Sequence, residues 1–175
     1  MCIRDSISGA YNLLINETLS TVVDRNMRKV GGVFYNEDER VFAQKMLESY
    51  PNRKVNLKDT ETIVDFRVTE DAIPFSTDVG DVSWLVPTAG MSTATWVPGT
   101  SAHSWQAVAA GGTSIAHKGM INAAKTLALS AVDIFNNPEI VGKANKELKE
   151  RQGENFTYEA LLGDRKPPLD YRKNN

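Results

Sequence analysis

The sequence is poor in the residues that build disulfides and metal sites. Among 175 residues there is one cysteine, Cys2, and there are two histidines, His103 and His117. A single cysteine excludes an internal disulfide and a cysteine-based zinc site. The two histidines form no HxxxH, HxD or HExxH pair, so neither can hold a metal with local help. Charge of one sign is lacking as well. Lys and Arg number 20 against 22 Asp and Glu, the net charge is −2, and no basic stripe marks a nucleic-acid surface. Apolar runs fall far short of the roughly 20 residues of a membrane helix. The opening "MCIRDSISGAYNLL" has neither the apolar core nor the small-residue cleavage site of a signal peptide. A reducing cytoplasm is the simplest expectation.

The chain does have ordinary globular composition, 41% hydrophobic and 24% charged, enough for one domain with a real core. "ISGAYNLLI", residues 7–15, ends in a strand-like run. It starts with no loop or cap after "MCIRDS", so the chain reads as a fragment with foreign first residues. Asn16 is placed to cap a helix with Glu17 at its positive end and Leu19, Val22, Val23, Met27 and Val30 on one face. Gly31-Gly32 ends it. A second helix starts at Asn36, with Glu39 as capping-box partner, and stops at Tyr50-Pro51. Residues 51–62 read as a polar surface loop, "IVDFRV" (63–68) as a strand, and "STATWVPG" (92–99) as an alternating strand. A long helix from about Gly112 to Asn136 carries Asn122, Thr126, Ser130 and Asp133 in one narrow polar line. The rest of it is so apolar that it should be largely buried against a sheet. Asn137-Pro138 opens a last, charged helix that Gly153 ends.

Two short segments carry the chemistry. "STDVGDVSW" holds Thr77, Asp78 and Asp81; aspartates in such a setting are commonly turn formers or caps, and Ser76 or Asp78 is placed to cap a short helix ahead of Trp84. "VPGTSAHSW" presents His103 and Ser104 after a proline and a glycine, a setting that fixes a side chain's direction but is common in inert loops too. His117, at the start of the long helix, reads as a capping or packing residue. Trp84, Trp96 and Trp105 flank these segments and read first as core. Residue chemistry therefore reaches an α/β domain with a loop cluster of Asp and His.

"STDVGDVSWLVPT", "TATWVPGTSAHSWQAVAAGGTSIAHKGMINAAKTLAL" and "PPLDY" resemble the C-terminal portion of the aminobenzoyl-glutamate utilization protein B family. That family is similar to the di-zinc amidohydrolases and carboxypeptidases. The resemblance covers nearly all of residues 9–170. It implies an α/β fold: the second half of a catalytic domain, a sheet with packed helices, over residues 16–175. Residues 1–15 would be the end of an inserted lid and dimerisation domain. It implies cleavage of an amide bond in aminobenzoyl-glutamate or a similar acyl-amino acid, with two divalent metal ions, zinc or manganese, in the full-length enzyme. His103 matches the family's late metal-ligating histidine. Asp78 in "STD" matches a site-bordering loop, and Thr77, Asp81 and Ser104 flank the same positions. The HxD segment, the acidic pair with the general base and the lid histidine have no counterpart here, so the chain alone should be inactive and should expose an apolar face of its long helix. A homodimer, or a dimer with a related subunit, is the implied assembly. The rival expectation is a non-catalytic binding and dimerisation module of the same fold.

Overall fold

The computed structural model describes residues 9–50, 54–69, 77–164, 166 and 169. The described residues form six α-helices and one 3-10 turn: α1 (Glu17–Val30), α2 (Glu37–Glu48), the 3-10 turn (Leu57–Glu61), α3 (Val79–Ser83), α4 (Trp105–Gly111), α5 (Ser114–Asn136) and α6 (Pro138–Gln152). No strand occurs among them, which overturns the expected α/β architecture with its sheet. The expected strands at 63–68 and 92–99, and residues 9–15 of the expected 7–15 run, are present without strand structure. A strand needs a neighbour to take up its ladder of N–H and C=O groups. Among the described residues no main-chain ladder forms on these segments, and Val64, Phe66 and Val68 stay exposed.

The helix boundaries follow local chemistry. Asn16 is buried and its Oδ1 accepts from Leu19 N at 3.0 Å, while its Nδ2 donates to Ala144 O of α6 at 2.9 Å. Gly31 ends α1 at φ 83°, a conformation that favours glycine. The capping box of α2 is complete: Glu39 N donates to Asn36 Oδ1 at 2.9 Å and Asn36 N to Glu39 Oε2 at 2.7 Å. Residues 57–61, expected as plain loop, instead turn beneath Val33. Thr60 is buried there and its hydroxyl donates to Val33 O at 2.8 Å, while Val33 N donates to Thr60 O at 2.7 Å.

The core joins Val33, Tyr35, Ala43, Met46, Val97 and Ile115, with Phe42, Leu47 and Leu57 packed against it. The Tyr35 phenol is pushed up to about 12, chiefly by burial and secondarily by the Glu39 charge. Glu39 itself is buried, yet it stays a carboxylate. Burial opposes its ionisation, but Lys118 Nζ and Ser114 Oγ, each at 2.6 Å, and the Asn36 N–H outweigh it and hold its pKa below the usual value. This group pins the start of α2 to the start of α5. Gly119 on α5 lies so close to the 92–97 segment that a Cβ there would sit 2.6 Å from Ala94 O.

α5 exposes an apolar face, as the resemblance implies for the chain alone, but it is not buried against a sheet. Its polar line faces inward onto α1: Thr126 and Ser130 are buried, and Asn122 Nδ2 donates to the Gly31 and Gly32 carbonyls at 3.0 Å each. Asp133 accepts from Arg25 and from the fully buried Asn26, both at 2.8 Å, which holds its pKa down. Met120, Ile121, Leu127, Val132 and Phe135 point to solvent, Phe135 at 85% exposure. The reason lies in the groups that α5 meets there: Arg25 and Asn26 of α1 and the Gly31 and Gly32 carbonyls just after it need polar partners and select the polar side of α5. α6 returns alongside, and its Glu147 accepts from Glu17 N at 2.7 Å and Thr18 N at 2.9 Å, closing the free N–H groups at the start of α1.

Candidate functional site

The segment from Thr77 to Trp84 is built as a single short helical turn. Thr77 Oγ1 accepts from Val79 N at 3.3 Å and Thr77 O from Gly80 N at 3.2 Å. Asp78 occupies the N-cap position of α3 but makes no capping bond with its side chain. Its exposed carboxylate makes no hydrogen bond among the described residues. Ser76, the other expected cap, lies outside the described residues. Asp81 is the opposite case. Its Oδ2 accepts from Tyr11 N at 3.3 Å and its Oδ1 from Tyr158 Oη at 2.8 Å. The bond from Tyr158 is the main reason that phenol is raised above its ordinary value.

The Pro98–Ser104 segment carries the histidine. His103 has φ 57°, and it is the one residue other than glycine with positive φ among the described residues. A non-glycine residue held in this region is uncommon and strained, and such residues concentrate at functional sites. His103 is exposed. Ser104 caps α4, accepting from Ala107 N at 3.2 Å and donating to Ser101 O at 2.6 Å. Its hydroxyl is thus committed to the backbone. His117 is also exposed, on the first turn of α5.

A groove of about 1070 Å³ runs between α1, residues 59–69 and residues 88–94. Among the five candidate residues only Thr77 lines it, beside Val79, Asp65, Thr93 and Asn122. Asp78, Asp81, His103 and Ser104 lie outside its lining. No group of three or more His, Cys, Asp or Glu residues able to hold a metal occurs among the described residues. The described residues therefore do not fit a complete metal centre, and His103 is a solitary imidazole. Sequence reasoning missed Tyr11 and Tyr158, the partners of Asp81. They stand 70 and 77 residues from it, and nothing in local spacing ties them together.

Comparison with curated proteins finds a component of a hydrolase. The chain is similar to the subunit designated B of the p-aminobenzoyl-glutamate hydrolase of Escherichia coli (strain K12), 31% identical over 169 aligned residues that take in 83% of this chain and 35% of that protein. This bears out the resemblance to the aminobenzoyl-glutamate utilization protein B family. The chain spans about a third of the length of the curated relative it matches. No family model matches it, and no solved structure matches it. No helix among the described residues is long and apolar enough to cross a membrane.

Proposed function

We infer that the chain works as part of a longer, cytoplasmic, metal-dependent amidohydrolase that cleaves aminobenzoyl-glutamate or a similar acyl-amino acid beside a second, related subunit. The observation that carries this reading is the 31% identity, spread over 83% of the chain, to a subunit of a p-aminobenzoyl-glutamate hydrolase. Residues 16–175 would belong to the catalytic body and residues 1–15 to the end of the inserted lid domain. The exposed apolar side of α5 supports membership of a larger body, since a face of that extent is ordinarily an interaction surface. In this reading His103 supplies one imidazole to a metal, zinc or manganese, whose other ligands and general base lie elsewhere in the longer polypeptide. Its exposure and its strained backbone favour that role over packing. Thr77, Asp78, Asp81 and Ser104 would shape the adjoining wall, Asp78 with a carboxylate that makes no hydrogen bond among the described residues and Asp81 through its partners.

The test is metal titration by calorimetry together with substrate hydrolysis, on the longer polypeptide with and without His103→Ala. The expected result is the loss of at least one bound metal per chain and of turnover in the variant. Unchanged stoichiometry would remove His103 from the ligand set. The 175-residue chain alone is expected to show no turnover; measurable hydrolysis by it would overturn the reading that it lacks most of the site.

A further inference from the structure

Asp81 belongs to a clasp that reaches both ends of the described chain. Besides the bonds from Tyr11 and Tyr158, Ser83 Oγ accepts from Leu14 N at 2.8 Å, and Trp84 Nε1 donates to Asn12 O at 2.8 Å. Tyr11 Oη donates to Glu159 O at 2.9 Å, and Gln152 donates to Trp84 O. The rings of Tyr11, Trp84, Phe156 and Tyr158 cluster in tilted and edge-on contacts, Trp84 and Phe156 with centroids 4.6 Å apart and Tyr11 and Tyr158 at 5.5 Å. Gly80 completes the fit, because Tyr11 O approaches it too closely for any Cβ. α3 has only five residues and cannot fix its own position. Its placement is set from outside, by residues 11–14 on one side and 152–158 on the other.

We propose that Tyr158 is a positioning residue: acting through Asp81, it fixes α3 and with it the Thr77–Asp78 segment that borders the candidate site. The proposal rests on the reading that this segment borders the site of a hydrolase. Asp81 then serves as the hub that receives Tyr11 and Tyr158, with no free oxygen directed at substrate.

Tyr158→Phe deletes one hydroxyl and keeps the ring. Hydrogen exchange on the 175-residue chain is expected to quicken about 5- to 10-fold at the amides of residues 80–86, the effect of losing one hydrogen bond of ordinary strength, with α5 amides unchanged. Asp81→Asn keeps one acceptor oxygen and should fall between the two. In the longer hydrolase polypeptide, Tyr158→Phe is expected to raise KM for aminobenzoyl-glutamate several-fold with kcat within about twofold. Unchanged exchange at 80–86, or equal acceleration across α5, overturns the clasp. Faster local exchange with unaltered KM overturns the positioning role in the reaction. If the unsubstituted longer polypeptide hydrolyses no such substrate, the hydrolase reading fails, and with it the role in the reaction, while the exchange result still decides whether Tyr158 holds α3.

Discussion

Replacing Lys118 by methionine tests the account of how α2 and α5 are locked together. Lys118 Nζ stands 2.6 Å from Glu39 Oε2, and the Glu39 side chain is 4% exposed while that of Lys118 is 39% exposed. Methionine keeps the aliphatic length and deletes the cation. Stranding a fully buried charge costs several kcal/mol, whereas exposed pairs contribute less than about 1 kcal/mol. With one partner buried and the other partly in water, the expected loss is about 2 kcal/mol at pH 7, or roughly 4–8 °C in Tm for a chain of this size. The sign with pH follows from Glu39. Its folded pKa lies below the unfolded value, so its stabilisation is present above that unfolded value and is lost as pH falls through the folded one. Without Lys118, burial raises the carboxyl, and acid unfolding should begin at higher pH. Urea denaturation of both proteins between pH 3 and 7 checks this. A difference below about 0.5 kcal/mol at pH 7, or one equally large at pH 3, would refute the reasoning.

Asn26 is fully buried and donates to Asp133 and Ser130, so Asn26→Leu leaves both facing an apolar group; a loss of about 1–3 kcal/mol is expected in the same denaturation assay. Gly119→Ala drives a Cβ to 2.6 Å from a main-chain oxygen that cannot yield cheaply, and should lower Tm by several degrees through separation of α5 from residues 92–97. The raised Tyr158 phenol stabilises the clasp fully below the ordinary tyrosine pKa and loses it as pH rises through the folded one. Ultraviolet titration should therefore show one phenol ionising later than in Asp81→Ala. Leu127→Glu places a charge on an exposed face, so the isolated chain should keep its Tm within about 1 °C while its tendency to self-associate, read by light scattering, falls.

The helices were legible because their signals are local. Asn16, the Asn36–Glu39 box, Gly31 and Pro138 each act within a few residues, and each marks a true boundary. The sheet was misread because alternation in "STATWVPG" and "IVDFRV" shows what a segment could pair as, not whether a partner lies beside it. α5 was recognised as a helix, and its exposed apolar face was expected from the resemblance; its apolar composition wrongly suggested general burial, since periodicity finds a stripe and only the neighbouring α1 decides which side turns inward. The family was legible in two long stretches, residues 76–88 and 93–129, and the hydrolase relative supports it; the candidate residues rest on the resemblance alone. The surroundings of Asp81 were hidden, because its partners Tyr11 and Tyr158 join it across most of the chain.

That long reach has a consequence for synthesis. The last bonds that seat Asp81 depend on Tyr158, made 77 residues after it. Contacts so remote in sequence form late, after α1 and α2 have had the chance to fold from nearby signals. On the ribosome, the loop bearing Thr77 and Asp78 would stay loosely held until nearly the whole of this chain had emerged. The candidate site would thus be among the final parts to acquire its shape.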